Sequence, residues 1–131
     1  MSVGNGQIAL SRQEFRRLVS QAITSLPPLV AGRLMNVEIV VKARPTREEL
    51  AMAGTDPTET LFGLYTGTPL TERSSSYGMV LPDKITLYQR SIEEVCRTTG
   101  EIQEQIRTTL LHEIGHHFGL SEDELEEAGY K

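Results

Sequence analysis

A single cysteine, Cys96, is the whole thiol content of this 131-residue chain, so no internal disulfide can form. A cysteine-only zinc site is excluded with it, and any metal chemistry has to rest on histidines and carboxylates. Cys96 itself reads as a small core residue. No apolar run approaches the roughly 18 residues that a bilayer crossing needs, and Met1 to Gln7 offers neither a basic start nor an apolar stretch for export. The expectation is a soluble, cytoplasmic protein. Repeats, low-complexity tracts and interdomain linkers are also lacking, and the length matches one domain spanning residues 1–131. What is present is enough for a core: Leu, Ile, Val and Phe make up about a quarter of the chain, above the level at which disorder sets in.

Basic residues are scarce in the second part of the chain. The overall charge of −5 divides into +5 for residues 1–47 and −10 for residues 48–131, and the acidic part holds all three histidines. A nucleic-acid binder needs Lys and Arg to replace phosphate counterions. The one candidate stripe, Arg12, Arg16 and Arg17, is remote in sequence from the histidines, so no nucleic-acid partner is expected.

Periodicity and capping signals order the elements. Ser11 to Glu14 forms a capping box, and Phe15, Leu18, Val19, Ala22, Ile23 and Leu26 recur at helical spacing until Pro27 and Pro28 stop the helix. Residues 36–43, rich in β-branched side chains, predict a buried strand closed by Pro45. Thr46 to Glu49 caps a short helix through Ala53. Residues 54–60 read as a loop, and residues 61–66 and 84–89 as two further strands. The connection 67–82 holds a short edge strand at 77–81. Ser91 to Glu94 caps a brief helix ending near Gly100, and residues 101–118 form the longest helix. This order predicts an α+β domain with a small mixed sheet packed on helices.

The chemistry concentrates in residues 112–123, His-Glu-Ile-Gly-His-His-Phe-Gly-Leu-Ser-Glu-Asp. The first five match H-E-x-x-H. On a helix His112 and His116 stand one turn apart on one face, able to direct both imidazoles at one ion, and Glu113 sits beside the site without having to ligate. Ile102, Ile106, Leu110, Leu111, Ile114 and Phe118 form a broad opposite face that anchors the helix. His117 points nearer that apolar face and has no geometric claim on the ion.

Zinc needs a third protein ligand. Few residues remain after His117, so it has to be close. Gly119 is placed to end the helix and reverse the chain, which returns the following acids towards the histidines. The eleventh position counted from His112 is Glu122, with Asp123 behind it, and both stay open as the third ligand. Ser121 with Glu124 is a further capping box, placing Glu122 at the start of a terminal helix to about Ala128.

With these residues in view, the chain resembles the mini-zincins, short bacterial zincin-like metallopeptidases on a minimal scaffold. The resemblance also rests on the first helix ending in Leu26-Pro27-Pro28, on Gly63 to Arg73 and on Leu81 to Tyr88. It implies a small sheet packed on helices, one zinc ion per chain on the His112/His116 helix, and hydrolysis of peptide bonds. In that family the eleventh motif position is an aspartate, where this chain has Glu122. Metzincins proper also carry a methionine turn after the zinc helix, whereas Met1, Met35, Met52 and Met79 all precede it.

The expected reaction is peptide hydrolysis by a zinc-activated water, with Glu113 as general base and His112, His116 and Glu122 (or Asp123) on the metal. Tyr65, Tyr77 and Arg73 are candidate oxyanion donors, and residues 77–81 a candidate edge for the substrate backbone. So small a protein suits short or flexible substrates. Two rival classes are a non-catalytic module folded around zinc and a metal-dependent ribonuclease. Glu113, the lack of a third histidine at the ligand offset and the local negative charge count against the ribonuclease. Oligomeric state is not legible.

Overall fold

A computed structural model describes residues 8–54, 61–67 and 83–118, with Arg33, Asn36 and residues 116–118 as backbone only. The first helix, α1 (Arg12–Thr24), opens as expected: the Ser11 side chain accepts from Glu14 N–H while Glu14 returns the bond to Ser11 N–H. It buries Phe15, Leu18, Val19 and Ala22. The helix ends before the prolines, and Pro28 starts a second, α2 (Pro28–Arg33), because proline at the first helical position gives up an amide that has no intrahelical acceptor anyway. A 3-10 turn at Leu34–Asn36 leads into β1 (Val37–Lys42). The Thr46/Glu49 capping box is also formed, at the head of α3 (Arg47–Met52).

The remaining strands, β2 (Gly63–Thr66) and β3 (Asp83–Tyr88), complete a mixed sheet among the described residues, in the order β1-β3-β2. β3 is central, parallel to β1 and antiparallel to β2. Its register pairs Ile39 with Ile85 and Val41 with Leu87, so one face of the sheet presents a continuous aliphatic surface to the helices.

Two helix starts differ from the sequence reading. The helix α4 (Gln89–Glu94) begins directly after β3, with Ser91 buried inside it rather than capping it, and Glu94 pairs with Arg44 instead. The long helix α5 (Thr99–Phe118) begins earlier than expected, with Gly100 inside its first turn. Thr98 accepts Glu101 N–H at 3.0 Å and Glu101 accepts Arg97 N–H at 2.6 Å, a cap formed upstream of the glycine.

A buried polar network ties the first residues described to the β3–α4 junction. Arg12 donates to Gln89 Oε1 at 2.8 Å and to the Val41 carbonyl at 2.7 Å. Glu93 Oε2 accepts from Leu10 N–H and from the Gln89 amide, each at 2.9 Å, and Arg90 donates to the other Glu93 oxygen. Arg12 thus leaves the basic stripe of α1 and serves the fold. No helix of the described residues is long and apolar enough to cross a membrane. Residues 77–81 and the expected terminal helix lie outside the described residues.

Candidate metal centre and adjoining cleft

The backbone of α5 is helical from Thr99 through Phe118, so positions 112 and 116 stand one turn apart on one face. Ile102, Ile106, Leu110, Leu111 and Ile114 are fully or almost fully buried, as their spacing requires. The helix lies between α1 and β2. Its buried stripe fixes its rotation, and that rotation brings His112 to the surface and Glu113 to a half-buried position beside it.

Glu113 is held by the sheet. Tyr88 N–H donates to the Phe62 carbonyl at 3.0 Å, and with Leu64 opposite Thr86 this register turns the main-chain groups of Gly63 and Tyr65 towards the outer edge of β2. There Tyr65 N–H donates to Glu113 Oε1 at 3.1 Å. The strand can approach this closely because residue 63 is glycine: a Cβ at that position would lie 2.6 Å from Thr109 Cγ2. The Tyr65 hydroxyl donates to Asp83 Oδ2 at 2.6 Å, on a carboxylate only 6% exposed. Of the candidate oxyanion donors, Tyr65 thus meets Glu113 through its main-chain amide and Asp83 through its phenol. Burial, reinforced by the carboxylates of Glu49 and Glu113, pushes the Tyr88 hydroxyl above the ordinary phenol range.

A cleft of about 290 Å³ opens along these groups, lined among the described residues by Leu61, Phe62, Gly63, Gln105, Thr108, Thr109, His112 and Glu113. His112 and Glu113 thus both line this cleft. The side chains of His116 and His117, and Tyr77, Arg73, Glu122 and Asp123, lie outside the described residues. Among the described residues no cluster of three His, Cys, Asp or Glu side chains is assembled for a metal ion. Sequence reasoning passed over Gln105, Thr108 and Thr109, although they stand seven, four and three positions before His112 and share its face of the helix.

A motif helix anchored in an α+β core, with its glutamate bonded to the outer strand of a small mixed sheet, defines a zincin-like domain. The chain belongs to the zincin-like metallopeptidase family, whose model matches residues 34–130. In fold it is similar to a conserved hypothetical protein from Thermus thermophilus, with a TM-score of 0.55 and 24% identity over 83% of this chain and 94% of that one. No curated protein matches the chain.

Proposed function

We propose that the chain is a zinc-dependent peptidase in which His112, His116 and Glu122, or Asp123 in its place, hold one zinc ion and Glu113 is the general base. The observation that carries this reading is the Glu113 carboxylate, which stands next to His112, lines the cleft and is fixed by a main-chain amide of the outer strand β2. The donor chemistry fits zinc, which takes imidazole nitrogens and carboxylate oxygens and keeps three protein ligands in catalytic sites. When bound, the ion supplies the Lewis acidity that activates water and polarises a peptide carbonyl. Glu113 accepts the proton of the attacking water and delivers a proton to the leaving amine. Because Tyr65 N–H grips Oε1, the carboxylate keeps one orientation and needs little rearrangement to act. A cleft of this size suits a short or flexible peptide segment rather than a folded partner. The reading includes a cytoplasmic setting and neither a nucleic-acid partner nor a membrane.

The test joins metal content by plasma mass spectrometry to a peptide-library assay. The wild type and Glu113→Gln are expected to hold one zinc per chain; His112→Ala, His116→Ala and one of Glu122→Ala or Asp123→Ala are expected to lose it. Glu113→Gln should cleave at least about 100-fold more slowly than the wild type. Loss of zinc in Glu113→Gln overturns its role as base. Stoichiometric zinc without cleavage of any peptide identifies a zinc-stabilised module, and absence of zinc from the wild type overturns the metal centre.

A further inference from the structure

The cleft extends well beyond the two motif residues that line it. From His112 it follows α5 back through Thr109, Thr108 and Gln105, positions one and two turns up the same face, while Leu61, Phe62 and Gly63 form the facing wall. The two walls differ in chemistry. The strand wall is apolar side chain and main chain, and the helix wall carries an amide and two hydroxyls.

Those polar groups are only partly used among the described residues. Gln105 Nε2 donates to Thr109 Oγ1 at 3.2 Å, and Thr109 turns its methyl group towards Gly63. The Gln105 amide oxygen and the Thr108 hydroxyl make no hydrogen bond among the described residues, and both side chains are half-buried. The wall thus offers an acceptor and a hydroxyl, with no ionised group among Gln105, Thr108 and Thr109. An incoming group that carries both a donor and an acceptor satisfies both, and a charged group finds no counter-charge on them.

We propose that this stretch of the cleft is a specificity pocket for a neutral carboxamide, so that the substrate is a peptide with Gln or Asn placed near the scissile bond. Gln105 and Thr108 are its specificity-determining residues. The side-chain amide donates to Gln105 Oε1 and accepts from the Thr108 hydroxyl, and its methylenes lie against Leu61 and Phe62. The proposal rests on the peptidase reading for its consequence, since it names what that site selects.

Binding and cleavage are measured separately. The full-length, zinc-loaded protein is titrated with acetylated tetrapeptide N-methylamides, which carry no terminal primary carboxamide and differ only at one central residue, Gln, Met or Glu, close in shape and different in hydrogen bonding and charge. The Gln105 side-chain amide and the Thr108 main-chain resonances are followed by NMR. The Gln peptide is expected to bind about tenfold more tightly than the Met and Glu peptides and to move both resonances. Gln105→Leu, which keeps a good helix former, is expected to abolish that preference by removing the acceptor of the carboxamide, so that the Gln peptide binds no more tightly than the Met peptide. Equal binding of Gln and Met peptides, a preference that survives Gln105→Leu, or no movement of either resonance with any peptide overturns the pocket. Carboxamide-selective binding without cleavage leaves the pocket standing and removes the peptidase reading; cleavage without selectivity does the reverse.

Discussion

Replacing Gly63 by alanine puts the strand-to-helix approach under direct test. Its backbone is not in the positive-φ region, where glycine has an advantage, so on conformational grounds alone alanine should stabilise by about 0.4–1 kcal/mol through the unfolded chain. Packing gives the opposite sign. The new Cβ would lie 2.6 Å from Thr109 Cγ2 and 3.3 Å from the Thr86 carbonyl oxygen. The first contact is far inside van der Waals separation, against a threonine that is 6% exposed on a rigid helix. Overpacking of this kind costs about 1–3 kcal/mol, for a net loss of roughly 1–2 kcal/mol. For a chain of this length that is a fall in Tm of about 4–8 °C by calorimetry. Thr109→Ser deletes the offending methyl, so the double variant should recover at least about 0.5 kcal/mol relative to the sum of the singles. A Gly63→Ala protein as stable as the wild type, or a double variant that is strictly additive, would refute the close approach. With it would go the geometry that brings Tyr65 N–H to Glu113.

Three further outcomes follow from other parts of the fold. Glu93→Ala removes the shared acceptor of Leu10 N–H, Gln89 and Arg90, and is expected to cost about 3 kcal/mol in urea unfolding; a loss below about 1 kcal/mol would show the network to be dispensable. The partial burial of Glu49 works to raise its pKa, but bonds from Lys42 and Thr46 N–H outweigh that and hold it below the usual glutamate value. A folded-state pKa depressed in this way contributes stability above the unfolded value and loses it as pH falls through the folded one. The destabilisation caused by Glu49→Gln should therefore be present at neutral pH and fade below about pH 4; a difference that is flat with pH contradicts the pairing. The thiol of Cys96 is raised by burial first and by Glu101 and Glu93 next, so it should resist alkylation in the native protein at pH 8 and react once the chain is unfolded.

Local chemistry was the legible part of the sequence. The capping boxes at Ser11 and Thr46, the aliphatic stripe of α5 and the mixed sheet follow from propensity and period, and they are present. At α4 the same logic misled, because Ser91 and Glu94 have cap spacing but are claimed by the core and by Arg44. The helix therefore takes its start from the end of β3. At the site, the adjacency of His112 and Glu113 was readable, but the strand amide that meets Glu113 was not. Tyr65 lies 48 residues away and meets it through its main-chain N–H, a group that every residue but proline carries and that no sequence pattern marks. Strand register, which decides whether that N–H faces β3 or the helix, arises only when the sheet is assembled.

The central position of β3 has a consequence for how the chain comes into being. Of the three described strands it is the last to be synthesised, yet both of the others pair with it and not with each other. On the ribosome β1 and β2 emerge without that shared partner, their main-chain groups on its side bonded to water, until residues 83–88 clear the exit tunnel. The contact between outer strand and helix needs α5 as well, so the grip on Glu113 forms later than the sheet can, once residues 99–118 have emerged too.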